Sequence, residues 1–131
     1  MRHNQALFDL ADRLTEPPNG GPIQMWSVGA LLSAVVTLYG VSCCITQRAA
    51  TLNITTRRFR PLGRGLWVEI SGTHAVTFGL LLIGIGLFMH FHWFWGNHKR
   101  LFPYYEIPKY TAAVGVIAAM IAHVFTMITR T

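Results

Sequence analysis

Charge is what this sequence has least of. Only 12% of its 131 residues are Asp, Glu, Lys or Arg, about half the roughly 25% usual in a soluble domain. Hydrophobic residues make up 52%, so a soluble globule is the wrong starting point. Acidic residues are the scarcest, with five in the chain. None lies inside a long apolar run, so a proton relay or ion-coupled pathway has almost nothing to work with. Cysteine is nearly absent too. Cys43 and Cys44 are adjacent, which excludes a disulfide framework and reads as two small apolar residues at a helix interface, with acylation as the alternative. There is no phosphate-cradling glycine loop, no nucleic-acid module and no Ser-His-Asp pattern, so neither an enzyme nor a nucleic-acid partner is expected.

What the sequence does have is three long apolar runs, Ile23 to Gln47, Gly72 to Phe94 and Lys109 to Ile128, with no charge between their end residues. A helix needs about 20 mainly apolar residues to cross a bilayer, and a soluble core helix of that length would carry a polar stripe. The expected fold is an all-α membrane protein with spans near residues 24–47, 72–95 and 109–129. A cleavable signal peptide is not expected, because the first run starts too far in, is too long and lacks a small-residue cleavage pattern.

The chain divides into residues 1–22, an amphipathic helix and linker, and residues 23–131, the three-span domain. In ALFDLADRL, residues 6–14, Ala6, Leu7, Leu10, Ala11 and Leu14 share one helical face before EPPNGGP ends the helix. The basic loop, residues 48–71, reads as a small β-hairpin around the PLGR turn at Pro61. Its Arg57, Arg58, Arg60 and Arg64 would meet anionic lipid head groups. Asn53-Ile54-Thr55 matches a glycosylation sequon, a match that chance readily supplies. The aromatic loop, residues 96–108, is expected to stay extended between Pro103 and Pro108, and Trp93 and Trp95 beside it fit an aromatic belt at the head groups.

Basic residues nearly balance across the spans. Five (Arg2, Arg13, Lys99, Arg100, Lys109) fall on the amino-terminal side and six (Arg48, Arg57, Arg58, Arg60, Arg64, Arg130) on the other. The arginine cluster directly follows the first span, which places the basic loop in the cytoplasm of a bacterial inner or intracytoplasmic membrane.

Each span carries a stripe of small residues when positions are set about 100° apart. Gly29, Ser33, Val36, Gly40 and Cys44 align on the first. Gly72, Ala75, Gly79, Leu82, Gly86 and His90 align on the second, and Ala112, Val116, Ala119 and His123 on the third. Small side chains allow the close backbone approach that packs helices in lipid. Three such stripes exceed what three helices need among themselves, which points to other membrane-protein subunits as partners.

Histidines are the remaining chemistry. His90 and His92 project about 160° apart on a helix, so a zinc or copper site from His90, His92, His98 and Glu106 would require unwinding. His74 and His123 begin and end antiparallel spans and so fall at one depth, where two imidazoles could ligate a b-type haem or a chlorophyll. Gly86, four residues before His90, and Ala119, four before His123, leave room for such a ring. The expected function is an accessory subunit of an energy-transducing (respiratory or photosynthetic) complex. The alternative is a haem-bearing anchor or electron carrier.

Overall fold

A computed structural model describes residues 2–15, 18, 21–52 and 67–129. The chain is mostly helical, with a two-stranded sheet. Helix α1 covers Arg2–Thr15. Helices α2 (Gly21–Thr46), α3 (Thr73–Trp95) and α4 (Glu106–Thr129) are each long and apolar enough to cross a membrane. Strands β1 (Arg48–Leu52) and β2 (Trp67–Ser71) pair antiparallel between α2 and α3. The arginines at 57, 58, 60 and 64, the PLGR turn and the Asn53 sequon lie outside the described residues.

Local sequence accounts for the element ends. Helix α2 stops at Gln47, whose φ of 53° is left-handed, and the Gln47 carbonyl accepts a hydrogen bond from Gly72 N at 2.9 Å. That bond closes the base of the strand pair. Gly72 itself has φ 69° and ψ −140°, a backbone state only glycine adopts readily. It therefore serves as the hinge into α3 rather than as a packing residue, and open space surrounds the position its Cβ would take. Val68 and Ile70 turn partly inward while Trp67, Glu69 and Ser71 are exposed, the alternation of a one-sided strand. Beneath them Cys43, Ala49 and Ala75 form a small core with Ile70 and Phe78 packed on it. Tyr39 ties α2 to β1, because its hydroxyl donates to Ala50 O at 2.8 Å and accepts from Ala50 N at 2.9 Å.

The aromatic loop departs from its expected extended path. Phe102–Tyr104 forms a 3-10 turn and α4 begins at Glu106, three residues before the first residue of the apolar run. Proline is the reason both readings were open: Pro103 and Pro108 sit in first turns, where a missing N–H costs nothing.

Helices α2 and α3 cross at backbone contact. A Cβ on Gly79 would stand 2.6 Å from Gly40 O, and one on Gly40 would stand 2.7 Å from Gly79 O. Cys43 is fully buried at this crossing, and Cys44 Sγ donates to Val76 O at 3.6 Å. About two turns further along α3, Gly86 lies against Ser33 O and the Thr37 side chain, and beyond it Gly29 lies against the Phe94 backbone. Helix α4 joins less tightly, with Gly84 against Val116 and Ala112 buried. Gly79→Leu is expected to destabilise the purified chain by about 2–3 kcal/mol, the upper range of overpacking. Unfolding in mixed detergent micelles measures this, and an unchanged midpoint would remove the crossing from the account.

Candidate functional site

Two polar clusters interrupt the apolar helices, and the first joins α3 to α4. Thr77 Oγ1 lies 2.8 Å from His123 Nδ1 and 3.5 Å from Thr126 Oγ1, and it donates to His74 O at 3.1 Å. With that hydroxyl proton on the His74 carbonyl, His123 Nδ1–H becomes the donor to Thr77. The hydroxyl of Thr126 closes back onto His123 O at 2.8 Å. His74 and His123 thus meet at one end of the pair, within electrostatic reach of each other. His74 Nδ1 is buried with no hydrogen-bond partner. Phe78 packs against the His123 ring with centroids 6.0 Å apart. The bond to Thr77 ties His123 directly to the helix that carries His74, rather than holding the two imidazoles apart around an intervening ring.

The second cluster sits at the opposite end of α3 and α4, beside the aromatic belt expected from the sequence. His92 is 2% exposed, Lys109 1% and Tyr105 3%. Lys109 Nζ stands 5.1 Å from the ring centroids of both Tyr105 and Tyr110, a cation–π geometry. His92 lies within electrostatic reach of Lys109, and its ring stacks on Phe88 at 5.7 Å. Its Nδ1 is buried and unpartnered. Burial pushes the Tyr105 phenol above its ordinary range, and Glu106 and Tyr110 add to the shift. Nearby, Pro18 rests against Gly96.

His90 belongs to neither cluster. It faces α2, where its Nδ1 lies 2.8 Å from Gly29 O. Both helices are π-helical at this crossing, over Met25–Leu32 in α2 and His90–Trp95 in α3. Such i→i+5 segments are rare and recur at functional sites. His90 and His92 therefore serve different neighbours. His98 accepts a bond from Arg100 N at 3.3 Å and Glu106 is exposed. Among the described residues, no three or more His, Cys, Asp or Glu side chains gather as a metal site.

The π-helical turns, and the burial of Lys109 against Tyr105, were not visible in the sequence. Lys109 looked like a charge at the water boundary because it opens the third apolar run. The tyrosines four residues before it and directly after it are the signal that could have placed it between rings. Trp93 and Trp95 are both partly buried, with Trp95 edge-on to Phe91 at 5.1 Å.

Two substitutions separate structural from costly polar groups. Thr77→Val removes an interhelical hydrogen bond and should cost about 1 kcal/mol, near the upper part of the range for such bonds. His92→Phe fills the same space without an unsatisfied nitrogen, so it should leave stability unchanged or raise it by about 1 kcal/mol. Detergent unfolding of both variants checks the pair, and a large loss in His92→Phe would show that the His92 ring nitrogen makes a needed bond. Alkaline spectrophotometric titration should also show one late-ionising phenol that Tyr105→Phe removes.

A scan against protein-family models finds no match, and comparisons with curated proteins and with solved structures find none either.

Proposed function

We propose that this protein is an integral-membrane accessory subunit that holds a neighbouring transmembrane helix, within a larger and energy-transducing membrane complex. The observation that carries this reading is an unfilled groove on α4. The small residues of α2 and α3 are spent on each other: Gly29, Ser33, Gly40, Ala75, Gly79 and Gly86 are all buried. On α4, Ala112, Val116 and His123 turn toward α3. Gly115, Ala118, Ala119 and Ala122, together with Ala112, line an apolar groove of about 800 Å³ with Leu80, Ile83 and Gly84. A Cβ on Gly115 would meet nothing within 4 Å.

The groove runs from Ile107 to Ala122, about 22 Å at 1.5 Å per residue. A single leaflet offers only about 15 Å of hydrocarbon, half of the usual thickness, so the groove matches a crossing helix better than one lipid tail. Small residues on one side admit a partner whose knobs are Leu, Ile or Val, because close van der Waals contact is what associates helices in lipid. Around the α4 start, Tyr104, Ile107 and Tyr110 are exposed, side chains suited to the bilayer interface. Helix α1, with Leu7, Phe8 and Leu10 exposed, is suited to lie along the membrane surface. The arginines at 57, 58, 60 and 64 are assigned to anionic head groups on the cytoplasmic side.

The test compares stability with assembly. Gly115→Leu and Ala118→Leu should leave detergent unfolding of the isolated chain within about 0.5 kcal/mol of wild type, as for surface changes. Both should shift the chain from a high-mass species to its own mass in native electrophoresis of solubilised membranes. A wild-type chain that migrates alone under the mildest detergent would sink the reading. The orientation has its own check: in sealed inverted vesicles an impermeant thiol reagent should label Thr56→Cys but not Lys99→Cys, and the reverse pattern would invert the topology.

A further inference from the structure

The π-helical crossing of α2 and α3 holds a histidine in a chemically unusual state. Gly29 O is a carbonyl and only accepts, so the proton on His90 is at Nδ1, fixed by the 2.8 Å contact. In the neutral imidazole, Nε2 is then a bare lone pair. No hydrogen bond reaches it among the described residues. The hydroxyls on the facing helix are already committed: Ser33 Oγ donates to Gly29 O at 2.6 Å and Thr37 Oγ1 to Ser33 O at 2.8 Å. His90 lines an apolar groove of about 420 Å³ between α2 and α3, with Trp26, Ala30, Ala34, Leu38 and Phe94. A neutral imidazole whose Nδ1–H is anchored on a backbone carbonyl is the arrangement that orients a histidine toward a metal.

The surroundings narrow the metal's carrier. The groove is apolar and bordered by small residues, with Trp26 edge-on to Phe94 at 5.4 Å, so a flat apolar macrocycle suits it better than a hydrated ion. The His90 ring stacks on Phe94 at 5.0 Å, and Phe94 stacks on His98 at 5.8 Å. That column leads out of the groove to a turn where Lys99 and Arg100 are exposed. Cations there match the carboxylates of a protoporphyrin and have nothing to meet on an uncharged pigment.

We propose that His90 Nε2 is the single axial protein ligand of an iron protoporphyrin seated in the groove between α2 and α3, with its propionates toward Lys99 and Arg100. The site stands apart from the His74–His123 pair, and it is independent of the proposed helix partner on α4. Among the described residues, His90 is the one histidine that lines the groove.

Haemin titrated into the purified full chain in dodecyl maltoside tests this. The wild type should give a saturable, red-shifted Soret band at one haem per chain, and His74→Ala and His123→Ala should titrate like it. His90→Ala should show only unsaturable partitioning into micelles. His90→Gly should regain the band when free imidazole is added, which separates a lost ligand from a lost fold. Lys99→Gln with Arg100→Gln should weaken binding without moving the band. The proposal is overturned by an identical shift in His90→Ala, which is adventitious partitioning only, by no saturable shift in the wild type, by loss of the band in His123→Ala, or by no rescue of His90→Gly. Failure of the α4 variants to release a partner would bear only on the subunit reading, because Gly115 and Ala118 do not line this groove.

Discussion

The contact between Gly40 and Gly79 is the constraint on which the rest of the structure depends. Two backbones meet there with no room for a side chain on either. In water such a crossing would be held by apolar burial. In lipid, where the surroundings are as apolar as the helices, it would be held by packing itself. The crossing fixes where Cys43 lies and, through the Gln47–Gly72 bond, how the strand pair closes. It also sets the separation at which the two π-helical segments meet, one end of the helix pair away.

That separation decides the chemistry. With the helices this close, a carbonyl on α2 comes within hydrogen-bond reach of a histidine on α3, and Gly29 must lack a side chain for Phe94 to pass. The polar groups of the helices therefore divide by neighbour: His90 of α3 faces α2, His92 of α3 faces Lys109 at the start of α4, and His123 of α4 bonds Thr77 on α3. Each polar side chain among apolar ones is costly unless paired. Thr77 and Gly29 supply such pairing for His123 and His90. His74 Nδ1 and His92 Nδ1 keep unpartnered nitrogens.

Much of this was legible in the sequence, for identifiable reasons. Long uncharged runs mark membrane-length helices because length and hydropathy survive any choice of packing partner. The strand pair was visible from β-branched and aromatic residues around a turn signal, and pairing of Arg48–Leu52 with Trp67–Ser71 follows that pattern. Helical periodicity put Gly40 and Gly79 on small-residue faces, and in the fold the two glycines meet at backbone contact. It placed Gly72 there as well, because a 100° count takes no notice of where the helix begins. The π-helical turns escaped for a related reason: they change the period locally, and no residue type in MWSVGALL or HFHWFW announces them. Lys109 escaped because burial of a lysine between Tyr105 and Tyr110 is a tertiary event.

The central claim is that α4 presents a packing surface meant for another helix. Site-specific photo-crosslinking in native membranes tests it most directly, with the reactive group at Ala118 in the groove or at Ile45, which is 77% exposed on α2. The account predicts one discrete protein adduct from Ala118, mapped to a transmembrane segment of its partner, and none of that adduct from Ile45. Crosslinks from Ala118 that go to lipid alone, or adducts that are the same from both positions, would contradict it.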